Sequence, residues 1–178
     1  MTDKEYLQSK MRIIEDFPAK GISYKDITTI LEDKKAFKIM TDMLAKELDG
    51  EDFDAVVGID ARGFILGAAL CYKLGKSFIM ARKPGKLPGN VISEDYTLEY
   101  GKATIEVDKD TLKGGRRVVV VDDLMATGGT AKTVCRLVEK AGGKVVMALF
   151  LTELESIGGR KDLENSGYRV KSIIKWDH

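Results

Sequence analysis

Val118–Thr130 (VVVVDDLMATGGT) gathers the residues of this chain best suited to hold a sugar phosphate. Four valines fit a strand buried on both faces, so Asp122 and Asp123 emerge at its carboxyl end, where ligands bind in open parallel sheets. Carboxylates there accept hydrogen bonds from vicinal hydroxyls. Thr127, Gly128, Gly129 and Thr130 then form a small loop opening onto a helix. The glycines permit close backbone approach, the helix N-terminus favours an anion, and threonine hydroxyls donate to it. A monophosphate fits such a loop. A lone GGT would be read as a tight turn with a helix cap, but here strand, acids and loop agree in kind and order.

Several other chemistries lose support. The chain has no GxxxxGK[ST] and no GxGxxG, the phosphate-binding patterns of triphosphate and dinucleotide sites. Its single histidine is His178, which removes Ser/His and Cys/His nucleophile pairs and the common zinc constellations. Cys71 and Cys135 form no CxxC pair and lie in apolar helix-like stretches, as core filler in a reduced chain would. Twenty-nine Lys and Arg against 28 Asp and Glu leave a net charge of +1, so no global field collects nucleic acid. The stretch MTDKEYLQSKMRIIEDF is charged throughout, which reads as neither a secretory signal nor a membrane anchor, and a cytoplasmic location is expected.

The elements that must position the loop follow from periodicity. At 178 residues one domain spanning 1–178 is expected. Leu7, Met11 and Ile14 predict a helix over Tyr6–Ile14, broken by Pro18 and Gly21 and followed by an irregular segment. Asp33 caps a predicted helix carrying Phe37, Met40, Leu44 and Leu48. DAVVGI, DARG, FILGAALCYKLG and SFIMA read as strand, loop, helix and strand. RRVVVVDD, LMATGG, TAKTVCRLVEKAGG and KVVMALFLTEL repeat the unit. The alternation predicts an α/β fold: a Rossmann-like, mostly parallel sheet flanked by helices. Arg82–Tyr96 is predicted to be a long mobile loop, TLEYGKATIEV a β-hairpin, and YRVKSII the last strand.

The loop and its neighbours resemble the phosphoribosyl pyrophosphate signature of type I phosphoribosyltransferases. The resemblance runs from about Phe17 to Arg160 and is closest to the branch that uses adenine. GISYKDIT resembles that branch's base-pocket segment, GIDARGF its pyrophosphate loop, ARKPGKLPG its mobile loop, YTLEYGKATIEV its catalytic hairpin, and LTELESIGGR a second base-facing segment. It implies a small base-binding hood over about residues 1–32 and a mobile loop and hairpin over 82–107. Hypoxanthine-guanine enzymes typically carry an aspartate where this chain has Ala126.

The roles implied are specific. Asp122 and Asp123 meet the ribose hydroxyls, while Ala126, Thr127, Gly128, Gly129 and Thr130 cradle the 5-phosphate. Glu99, with Tyr100 beside it, takes the imidazole proton of adenine as the C–N bond forms, a general-base task within a carboxylate's reach. On pattern alone Glu99 would equally be a solvated hairpin charge. Ala61 and Arg62 receive the pyrophosphate, helped by Arg82, Lys83 and Lys86. The Ala61–Arg62 peptide is expected to be strained or cis. Ser23, Tyr24, Lys25 and Leu154 face the base, with Ser23 where an aliphatic residue is usual and Lys25 where arginine is common. Mg²⁺ is expected on the pyrophosphate with few protein ligands, hence no named metal residue. A homodimer acting on phosphoribosyl pyrophosphate and adenine is implied. The alternatives are a transferase for another purine and a non-catalytic sensor of phosphoribosyl pyrophosphate, the latter lacking a basic reader helix here.

Overall fold

The structure is a computed structural model and describes residues 1–98 and 101–177. Helix α1 (Asp3–Lys10) opens on a capping box between Thr2 and Glu5, in which each side chain accepts from the other's backbone N–H. Strands β1 (Arg12–Glu15) and β2 (Ser23–Asp26) pair antiparallel as a separate two-stranded sheet. Two helices follow, α2 (Thr28–Glu32) and α3 (Lys34–Lys46). Asp33 caps α3 by accepting from the backbone N–H groups of Lys35 and Ala36, both at 2.9 Å.

The chain then alternates β3 (Ala55–Ile59), α4 (Arg62–Leu74) and β4 (Ser77–Arg82), a strand–helix–strand unit whose two strands pair parallel. A hairpin of β5 (Val91–Leu98) and β6 (Gly101–Asp108) leads to β7 (Arg117–Met125), α5 (Gly129–Lys140), β8 (Lys144–Leu154), α6 (Gly159–Asn165) and β9 (Val170–Trp176). Seven strands form the main sheet in the order β5-β6-β4-β3-β7-β8-β9. Pairing is parallel from β4 through β9 and antiparallel only where β6 meets β4 and β5. The mostly parallel α/β sheet expected from the sequence is therefore observed.

The valines of β7 explain why its end is so well fixed. Val118 and Val120 enter one core with Val134, Leu137 and Val138 of α5, while Val119 and Val121 enter the other with Leu66 and Leu70 of α4. All four are fully buried, and a strand covered on both faces has one stable register.

Three local expectations are corrected. The first helix stops at Lys10 rather than Ile14: Leu7 and Met11 are buried as its period requires, but Met11 is already extended and Arg12–Glu15 pair with Ser23–Asp26. The segment expected to be irregular thus contains β2 and α2. The long loop of Arg82–Tyr96 shrinks to about residues 83–90, because Val91–Leu98 is a full partner of β6, with Ile92 and Tyr96 packed on the core. Finally, α6 was not foreseen. Among the described residues no helix is long and apolar enough to cross a membrane.

Candidate active site

The parallel strands β3, β4 and β7 all end on the same side of the sheet, and their following loops build one site there. At the end of β7, Asp123 is buried and Asp122 half-buried. Asp122 Oδ1 accepts from the Asp123 backbone N–H at 2.9 Å. Loss of water first, and the Asp123 charge second, push the Asp122 carboxyl well above the usual carboxylate range. The Thr152 hydroxyl of β8 donates to the Asp123 carbonyl at 2.9 Å, so the neighbouring strand holds the acidic end in place.

Beyond Met125 the chain turns through Gly128, whose φ of 77° is the left-handed region that glycine adopts freely, and α5 begins at Gly129. This turn lies hard against Gly159. A Cβ on Gly159 would stand 2.2 Å from the Ala126 carbonyl oxygen and 2.8 Å from the Gly128 nitrogen. Gly63 of α4 is similarly close to β7, with room for no Cβ beside the Val121 carbonyl at 2.7 Å. Neither glycine was singled out from the sequence, since a glycine's reason is a neighbour far along the chain.

A cavity of about 660 Å³ opens over this turn. Residues 21–25 form one wall, residues 126–131 another, and Leu154 and Ile157 lie between them. Ser23, Tyr24, Lys25, Asp122, Leu154 and the whole of Ala126–Thr130 are thus brought together around one space. Lys25 is buried, with Nζ 2.7 Å from Ser23 Oγ and 5.2 Å from the Trp176 ring centroid. The Ser23 hydroxyl in turn donates to Glu15 at 3.0 Å, so both side chains are engaged within the hood.

Arg62, the first residue of α4, reaches across the site. Its Nε donates to Asp123 Oδ2 at 2.5 Å, another guanidinium nitrogen donates to the Tyr24 hydroxyl, and the group lies 5.5 Å from the Tyr24 ring centroid. The sequence paired Arg62 with a leaving anion; here it joins the acidic pair to the hood. The cis peptide lies at Asp60–Ala61, one bond earlier than expected, and α4 begins at Arg62.

The remaining cations stand apart from the cavity wall. Arg82 Nε is 3.5 Å from Asp60 Oδ2, and the Lys83 backbone N–H donates to the same oxygen at 3.5 Å. Lys86 is exposed and its carbonyl accepts from Arg82 at 3.2 Å. All three flank the Asp60–Arg62 turn rather than the hood. Glu99 and Tyr100 lie outside the described residues. The hairpin strand leading to them is close to the loop, since a Cβ on Gly129 would be 3.7 Å from the Thr97 carbonyl oxygen.

Two ion clusters escaped the sequence reading. Glu94 of β5, in the predicted loop, accepts from Arg136 and Lys140 of α5, both at 2.6 Å. Glu153, at the end of β8, is buried and bound twice by Arg160. Hydrogen bonding from Arg160 and Ser172 outweighs burial and holds the Glu153 carboxyl below its ordinary value.

The match of residues 26–178 to the phosphoribosyl transferase domain model defines the class to which this sheet and cavity belong. An adenine phosphoribosyltransferase of Alkaliphilus metalliredigens is 52% identical over 170 residues, covering 96% of this chain and 99% of that one. The crystal structure of an adenine phosphoribosyltransferase from Thermoanaerobacter pseudethanolicus superposes with a TM-score of 0.94 at 50% identity, covering 97% of this chain and 99% of that one. A Giardia lamblia enzyme complexed with 9-deazaadenine superposes with a TM-score of 0.93 at 35% identity over 100% of both chains. The chain belongs to the type I phosphoribosyltransferase family, on its adenine phosphoribosyltransferase branch.

Proposed function

We propose that this chain converts adenine and phosphoribosyl pyrophosphate to AMP and pyrophosphate, a purine salvage reaction, as one catalytic domain acting in the cytoplasm as a homodimer. The observation that carries this reading is the single cavity that joins the Ala126–Thr130 turn to the Ser23–Lys25 and Leu154 walls. A phosphate at the turn and a flat base between Tyr24 and Leu154 match its two ends in chemistry.

In this reading Asp122 and Asp123 accept from the ribose 2- and 3-hydroxyls, and the backbone N–H groups and threonine hydroxyls of 127–130 take the 5-phosphate. Arg62 exchanges its contacts with Asp123 and Tyr24 for the departing pyrophosphate, and Arg82, Lys83 and Lys86 add charge beside it. Adenine N9 bonds to the anomeric carbon while the bond from that carbon to the pyrophosphate oxygen breaks. The N9 proton passes to Glu99, with Tyr100 as its neighbour. Closure of the 83–90 segment would keep water from the ribosyl centre.

A hydrated Mg²⁺ carried by the pyrophosphate would need few protein ligands and keep several waters. Bound there, it would neutralise the leaving group's charge. Incubation with adenine, phosphoribosyl pyrophosphate and Mg²⁺ tests the reading: stoichiometric AMP and pyrophosphate are expected, and their absence at saturating substrates would sink it.

A further inference from the structure

Glu153 and Arg160 form an ion pair outside the proposed reacting groups, with the carboxylate buried. Glu153 is 2% exposed and sits between Thr152, which holds the Asp123 carbonyl, and Leu154, which lines the cavity. Arg160 follows Gly159, the residue pressed against the Ala126–Gly128 turn. The pair therefore adjoins in sequence both Leu154 of the cavity wall and Gly159, which packs on the Ala126–Gly128 turn.

Its geometry is that of a brace. Arg160 Nε donates to Glu153 Oε1 at 2.8 Å and Nη2 to Oε2 at 2.6 Å, a fork-to-fork pair. The Ser172 hydroxyl donates to Oε2 at 2.5 Å, Arg160 Nη2 reaches the Ser172 oxygen at 3.0 Å, and Nη1 donates to the Val170 carbonyl at 2.9 Å. The end of β8, the first turn of α6 and the middle of β9 are tied at one point. A carboxylate buried against a guanidinium gives little net stability relative to an apolar substitute, so its worth lies in fixing a geometry.

We infer that Glu153, Arg160 and Ser172 are positioning residues that set the distance between the base wall at Leu154 and the phosphate turn at Ala126–Gly128. The inference rests on the transferase reading of the same cavity. Neither Glu153 nor Arg160 lines the cavity. A spacer of this kind affects ligands that span both ends far more than ligands that occupy one.

Affinities for AMP, which spans the cavity, and for ribose 5-phosphate, which occupies only its phosphate end, separate these cases. Calorimetry on the wild type, Glu153→Gln, Arg160→Lys and Ser172→Ala should show AMP weakened by about tenfold in the first two variants, with ribose 5-phosphate changed by less than about threefold. Ser172→Ala, which removes the hydroxyl's bonds to Glu153 and Arg160 and leaves the fork intact, should show the same contrast in smaller measure. Equal losses for both ligands, or none in variants that keep the wild-type circular dichroism, would overturn the inference. AMP formation by the wild type is measured alongside: its absence with the affinity contrast preserved strikes the adenine reading and leaves the spacer standing. A wild type that fails to bind AMP overturns both.

Discussion

The two ends of the cavity are built in opposite ways. The phosphate end is contiguous: one buried strand, two acids and a glycine turn deliver it within Val118–Thr130, and both cores clamp the strand. The base end is assembled from distant pieces: β2, Leu154 at the end of β8, and Trp176 beneath Lys25. A contiguous site tolerates little change in its own residues, whereas an assembled one depends on what lies behind it.

The sharpest way to break this comparison is at the acids. Asp122→Asn removes a charge that the fold disfavours and that the ribose hydroxyls need, so kcat/KM should fall by about 100-fold. Stability should move the other way. Because the folded carboxyl titrates above its unfolded value, its charged form opposes folding at neutral pH, and this opposition fades as pH falls toward the ordinary carboxylate value. The variant should therefore melt higher than wild type near pH 7, with the gap narrowing in acid. An unchanged or lower Tm would show that Asp122 is not strained by burial.

Gly159→Ala probes the contact between the ends. A methyl 2.2 Å from the Ala126 carbonyl forces the turn or α6 to move, so a loss of about 2 kcal/mol and a KM for phosphoribosyl pyrophosphate raised several-fold are expected. Denaturant titration and steady-state kinetics read both. Tyr24→Phe keeps the ring and removes the hydroxyl that accepts from Arg62, so adenine KM should hold while pyrophosphate affinity changes by roughly threefold. The smallest effect belongs to Ser23→Ala. Its hydroxyl is already taken by Glu15 and Lys25, and base preference should shift by less than about twofold. A change in base preference instead would make Ser23 a direct reader.

Legibility follows the same division. The βαβ units and the phosphate turn could be read because period, buried valines and glycines lie side by side in sequence. The hood strands could not: Arg12–Glu15 and Ser23–Asp26 have four residues each, and Ile14 continues the helical spacing of Leu7 and Met11 until a partner is known. Val91–Leu98 was hidden for a similar reason, since its polar Glu94 is satisfied by Arg136 and Lys140 of a helix more than 40 residues on. The tie of Glu153 to Arg160 and Ser172 has no period at all. Resemblance supplied the base-facing residues, and the cavity brings Ser23, Tyr24, Lys25 and Leu154 together.

The base specificity of the cavity is read by comparing kcat/KM for adenine, hypoxanthine, guanine and xanthine under one Mg²⁺ condition. Adenine should be used at more than about 100-fold the efficiency of the other bases, the discrimination expected when a mismatched exocyclic group leaves polar atoms unpaired. Equal or greater efficiency with any of the other three bases would contradict it.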